Sequence, residues 1–150
     1  MRINMREIKG KYIWIVGASS GIGRALAIEL ARQGATLALS ARRVEELNAL
    51  HAELGGAPHV AVAFDSTDQT QLDDALDRIK GSFPQLDSVF YLAATYDADP
   101  VRQTDLSRIH QVLAINLGGM FNVIDRARKL MSQQAHGQIV LTGSVAGYRG

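Results

Sequence analysis

The chain has 150 residues, 47% of them hydrophobic and 21% charged, with a formal net charge of +1. That composition excludes a disordered polymer and allows a substantial core, while the near balance of charge gives no reason to expect a nucleic-acid or membrane-surface partner. There is no cysteine, which excludes disulfides and thiolate metal sites, and His51, His59, His110 and His136 show no paired metal-ligand spacing.

Met1 to Lys11 is polar and charged without an apolar core, and no apolar run approaches the ~18 residues of a membrane span. A cytoplasmic protein is therefore expected. Tyr12 to Val16 is an apolar, aromatic and β-branched run of strand length that Gly17 stops abruptly. After Gly23 the pattern changes to Ala25, Leu26, Leu30 and Ala31 at helical spacing, with Gly34 where a helix C-terminus takes a left-handed residue.

Gly17, Gly21 and Gly23 give this strand–turn–helix unit a sharp reversal, a close backbone approach to a ligand and tight helix packing. Such a turn aims the free amides and positive dipole end of a helix into open space, which makes a phosphate site. Ser19 and Ser20 add hydroxyls that can donate to phosphate or cap the helix, and Ile22 lies between the last two glycines.

Thr36 to Ser40 reads as a second strand, followed by Ala41, Arg42 and Arg43, and Val44, Leu47, Leu50 and Leu54 mark a helix ended by Gly55 and Gly56. Val60 to Phe64 is a third strand, closed by Asp65, Ser66 and Thr67, whose short polar side chains suit a helix start. The next helix buries Leu72, Ala75, Leu76, Ile79 and Phe83 and ends at Pro84. Ser88 to Leu92 is a fourth strand and Ala93 to Pro100 a loop. A long helix from about Thr104 to Gln133 presents Leu106, Ile109, Leu113, Leu117, Met120, Phe121 and Ile124 as its expected buried stripe. Gln138 to Thr142 is a fifth strand.

Five apolar strands alternating with four amphipathic helices predict an α/β fold: a doubly wound parallel sheet, strand order 3-2-1-4-5, with helices on both faces. The winding reverses between strands 1 and 4, so ligand is expected over Gly17 to Gly23. No repeat, linker or low-complexity tract suggests a second domain. Ile139 to Leu141, apolar on consecutive positions, reads as a strand paired on both sides, so further strands are expected beside it, from chain after Gly150 or from a partner chain.

Gly-Ala-Ser-Ser-Gly-Ile-Gly from Gly17 to Gly23 resembles the glycine motif of the short-chain dehydrogenase/reductase family, and the likeness runs down the whole chain as the first part of a typical member. It implies a Rossmann-type fold, a nicotinamide cofactor and a small carbonyl or alcohol substrate, with homo-oligomers expected. By that likeness Ala41 stands where NAD-binding relatives carry a carboxylate. Arg42 and Arg43 there offer forked donors to a 2′-phosphate, so NADP(H) is the expected cofactor. Two solvated surface arginines are the plainer reading.

Asp65 matches the position that bonds the adenine amino group, with Ser66 beside it, or else caps the following helix. Tyr91-Leu92-Ala93-Ala94 aligns with the family's Asn-Asn-Ala-Gly; Ala93 and Ala94 keep close backbone approach, but both asparagines are absent. Asn116, beside Gly118 and Gly119, matches the asparagine implicated in proton relay, although an asparagine there can also simply bond nearby backbone. Ser144 falls on the serine that polarises the substrate oxygen. The family's general acid/base, in Tyr-x-x-x-Lys, is expected beyond Gly150, and Tyr148 is not given that role. These matches point to an NADP(H)-dependent oxidoreductase, with a non-catalytic NADP-binding or regulatory module as the alternative and a nucleotide-sugar epimerase a weaker third.

Overall fold

A computed structural model of the protein describes residues 8–96 and 105–144. The elements run β1 (Tyr12–Val16), α1 (Gly21–Arg32), β2 (Thr36–Ser40), α2 (Val44–Glu53), β3 (Val60–Ala61), α3 (Gln69–Ser82), β4 (Ser88–Tyr91), α4 (Leu106–Leu113), a π-helical turn (Ala114–Gly119), α5 (Met120–Gln134) and β5 (Gln138–Leu141). The five strands pair in parallel in the order β3-β2-β1-β4-β5, as the sequence pattern predicts.

The pleat of β1 sends successive side chains to opposite faces. Ile13 and Ile15 pack with Leu37, Leu39, Ala27, Leu30, Leu47 and Leu50 beneath α1 and α2. Trp14 and Val16 pack on the other face with Val89, Tyr91 and the apolar stripes of α3 and α5. The Trp14 indole donates to Ser40 Oγ at 2.9 Å, so its one polar atom is satisfied where no water reaches.

The third strand is shorter than expected. Only Val60 and Ala61 pair regularly with β2, at the sheet edge, although the Val62 amide still donates to the Leu39 carbonyl and the Phe64 amide to that of Ala41. Asp68, rather than Asp65 or its neighbours, caps α3, accepting from the Thr70 and Gln71 amides; Asp65 instead turns its carboxylate onto the Thr67 amide and hydroxyl.

The long helix differs most from expectation. The π-helical turn divides it, and its predicted start at Thr104 lies outside the described residues. Its stripe is also reversed: Leu106, Ile109, Leu113, Leu117 and Phe121 are exposed, Phe121 by 59% and Leu106 by 66%, while Met120 and Ile124 are half-buried. The buried residues are Ile115, Gly119, Val123, Ala127 and Met131. The segment is apolar on two faces, and the sheet takes the one whose small residues, Gly119 and Ala127, let the backbone come close. Glycine at 119 is required, since a Cβ there would press on Ser66 Oγ and lie 2.8 Å from the Tyr91 hydroxyl oxygen, whereas Gly118 has no comparable neighbour.

Candidate active site

Three strand ends are drawn together above the sheet. The Gly17 and Ala18 amides donate to the Ser40 carbonyl at 2.7 and 3.0 Å, and the Leu92 amide donates to the Val16 carbonyl at 2.8 Å. These bonds hold the turn after β1 between the ends of β2 and β4, which is where the winding reverses.

The turn itself is built of backbone. A Cβ on Gly17, whose φ is +98°, would lie 2.5 Å from the Ala93 nitrogen, and one on Gly23 would meet the Gly17 carbonyl. Gly21, at φ +54°, has open space where a Cβ would go. Helix α1 starts there with no acidic residue in its first turn and no side-chain cap from Ser20. Its first backbone bond runs from the Arg24 amide to the Ser20 carbonyl, and the Ile22 and Gly23 amides before it have no backbone partner among the described residues, as in the first turn of any helix.

A cavity of about 450 Å³ lies over this turn. Its lining includes every residue expected from the sequence to bind cofactor: Gly17, Ser19, Ser20, Gly21, Ile22 and Gly23 on one wall, Arg42, Arg43, Asp65 and Ser66 on a second, and Ala93 and Ala94 on a third. Val16, Ala41, Phe64, Leu92 and Ile115 complete it. Of these, Val16 and Phe64 carry no signal in the sequence beyond their place at carboxyl strand ends, and Leu92 stands there in the position of a family asparagine.

The two arginines differ in their contacts. Arg43 donates to Glu46 at 2.9 Å and to the Ser19 hydroxyl at 3.2 Å, bridging the glycine turn and α2. Arg42 is exposed and makes no ion pair or hydrogen bond with a described residue. The cavity thus carries one braced and one open guanidinium directly after β2, and the glycine turn opposite: a set of donors that can hold phosphate groups.

Asn116 and Ser144 stand outside the cavity lining. The Asn116 side chain, for which the sequence left two roles open, is bonded to the Thr95 backbone: Oδ1 accepts the Thr95 amide at 2.7 Å and Nδ2 donates to the Thr95 carbonyl at 2.8 Å. Ser144 is exposed just past β5, at the same carboxyl end of the sheet.

Beneath the cavity, Tyr91 is 4% exposed, and burial pushes its phenol above the usual range, so at neutral pH it keeps its proton. The hydroxyl donates to the Ile115 carbonyl at 2.8 Å and lies 3.1 Å from Ser66 Oγ. In the sequence Tyr91 stands only as a departure from the family motif, and no local pattern signals these contacts.

Fold and site together define a doubly wound, Rossmann-type α/β protein with a glycine-lined crevice at its winding reversal. A sequence profile described as short chain dehydrogenase matches residues 11–150, and the chain belongs to that family, whose members are oxidoreductases that use nicotinamide cofactors. The chain is 36% identical over 149 residues to an uncharacterised oxidoreductase of Listeria innocua, covering 95% of this chain and 58% of that protein. It is 32% identical over 145 residues to the sorbitol dehydrogenase of Cereibacter sphaeroides, with 96% and 56% covered. The crystal structure of levodione reductase superposes with a TM-score of 0.87 at 30% identity, over 95% of this chain and 57% of that one. The chain thus spans a little over half the length of these relatives. Among the described residues, no helix is long and apolar enough to cross a membrane.

Proposed function

We propose that this chain is the cofactor-binding portion of an NADP(H)-dependent short-chain oxidoreductase that transfers hydride between nicotinamide and a carbonyl or secondary alcohol. The observation that carries the reading is the Arg42–Arg43 pair on the cavity rim directly after β2, with Ala41 in place of a carboxylate. Bound over Gly17 to Gly23, the coenzyme would supply or accept the hydride, while the protein contributes orientation and electrostatics.

The first-turn amides of α1, with Ser19 and Ser20, hold the pyrophosphate. Arg42 and Arg43 take the 2′-phosphate, Asp65 and the Ser66 segment take the adenine, and Ala93 and Ala94 let backbone approach the ribose. Ser144 would donate a hydrogen bond from its hydroxyl to the substrate oxygen and so polarise the carbonyl. Asn116, locked on Thr95, supports proton relay by fixing the segment after β4. The protein works in the cytoplasm as a homo-oligomer.

Calorimetric titration with NADPH and NADH tests the cofactor, and assays of the full-length protein with ketones and secondary alcohols test the reaction. NADPH binding at least about tenfold tighter is expected, because hydrogen bonds to charged groups contribute roughly 1.5–3 kcal/mol each. Equal or reversed affinities remove the NADP assignment. Tight binding without turnover on any such substrate favours a non-catalytic module, the reading that Tyr91-Leu92 in place of two asparagines supports.

A further inference from the structure

The Tyr91 phenol has one proton, and it goes to the Ile115 carbonyl at 2.8 Å. The 3.1 Å contact with Ser66 must then be made by the Ser66 proton, with Tyr91 accepting. The result is a directed chain, Ser66 O–H to Tyr91 O–H to Ile115 C=O, entirely buried. It joins the wall segment after β3 to the π-helical turn from below, through a strand paired on both sides.

Both ends of this chain belong to the cavity, since Ser66 and Ile115 line it, while Asn116 follows Ile115 directly. Asn122 in α5 adds a second tie to the same segment, donating to the Ser66 carbonyl at 3.0 Å. Gly119, fitted against Ser66 Oγ and the Tyr91 hydroxyl without room for a Cβ, closes the turn over the chain. A π-helical turn within an α-helix is uncommon and needs compensating contacts, and the Tyr91 bond to its carbonyl is one.

We infer that Tyr91 is a positioning residue that, through Ser66 and the Ile115 carbonyl, sets the adenine-side wall of the cavity against the π-helical turn that presents Asn116. The inference rests on the proposed coenzyme site for what the cavity binds. The tie itself rests on the buried hydrogen bonds. Because the Ser66 proton points inward, Ser66 has none to give a ligand, and any contact it makes with adenine uses backbone or an oxygen lone pair.

The test compares wild type, Tyr91→Phe and Ser66→Ala as full-length proteins, by amide hydrogen exchange without ligand, NADPH affinity, and kcat and KM for a carbonyl substrate. In Tyr91→Phe, exchange at Ser66 to Asp68, at Thr95 and through Ala114 to Gly119 should rise about tenfold while Ile13 to Val16 is unchanged, the size expected for one buried hydrogen bond. NADPH affinity should fall roughly three- to tenfold and kcat should fall with KM nearly constant. Ser66→Ala should act in the same direction, and the double variant should be little worse than Tyr91→Phe alone, as for two groups in one network.

Exchange that rises evenly across the sheet, with NADPH affinity and kcat at wild-type values, would overturn the inference and leave Tyr91 as packing. If wild type itself does not bind NADPH, the coenzyme reading fails on its own. The ligand-free exchange pattern then still decides the tie: a rise confined to the two walls supports it and an even rise sinks it.

Discussion

The Asn116 carboxamide pairs with the Thr95 backbone in both directions, at 2.7 and 2.8 Å, as one strand residue pairs with another. Asn116→Leu keeps the bulk and leaves the Thr95 amide and carbonyl without partners, which should cost about 1–3 kcal/mol in urea unfolding. Because Asn116 does not line the cavity, NADPH affinity should change less than turnover. A variant with wild-type kcat would show that the segment after β4 does not need this lock.

The three glycines of the turn should separate binding from stability. Gly21 lines the cavity with open space beside it, so Gly21→Ala costs only about 1–2 kcal/mol of left-handed strain but puts a methyl group where phosphate is to sit. Coenzyme affinity should fall at least about tenfold with a small change in Tm, since the α1 amides can no longer reach the phosphate. Gly23→Ala should instead destabilise, by at least about 1–3 kcal/mol of overpacking against the Gly17 carbonyl. Similar losses of affinity and Tm in both variants would contradict this division.

Arg42 and Arg43 should contribute unequally. Arg43 already bonds Glu46 and Ser19, whereas Arg42 is open to a ligand. Arg42→Ala should weaken NADPH about tenfold and leave NADH within twofold, as expected for loss of one charge-assisted contact. Ala41→Asp, which sets a carboxylate at the end of β2, should reverse the preference. Parallel losses for both coenzymes would mean that the arginines do not read the 2′-phosphate.

Stability should depend on His59. Its Nδ1 accepts the Leu37 amide at 3.0 Å, so the ring is bonded as the neutral form, and burial, aided by the nearby His51, holds its pKa below the ordinary 6.5. The unfolded chain therefore binds the proton more readily. Stability is full above about pH 6.5 and is lost as pH falls from there through the lowered folded value. Urea unfolding between pH 5 and 7 should show this fall, and His59→Gln should flatten it; an unchanged slope would locate the effect elsewhere.

Much of the fold was legible because its signals are local. Tyr12 to Val16 and Thr36 to Ser40 form strands with the expected bounds, Gly34 ends α1 at φ +88°, and Pro84 follows the end of α3. The cavity wall from Gly17 to Gly23 was legible for the same reason, since a strand, a turn without side chains and a helix leave the chain few other paths. The face buried by the helix after Asp105 was not legible. Leu113, Leu117 and Phe121 make a better apolar stripe by themselves than Gly119, Val123 and Ala127, and only the close approach of α5 to the sheet favours the second.

The residues alone thus determined the order of the elements, the glycine turn and the basic pair after β2, because backbone sterics, hydrophobic period and charge act over a few neighbours. Tertiary structure alone decided that Asn116 is bonded to Thr95, that the Ser66 and Tyr91 hydroxyls meet, and that the helix opens into a π-helical turn above them. Those outcomes depend on groups 21 to 25 positions apart in the chain meeting at hydrogen-bond distance, and no local pattern encodes such meetings.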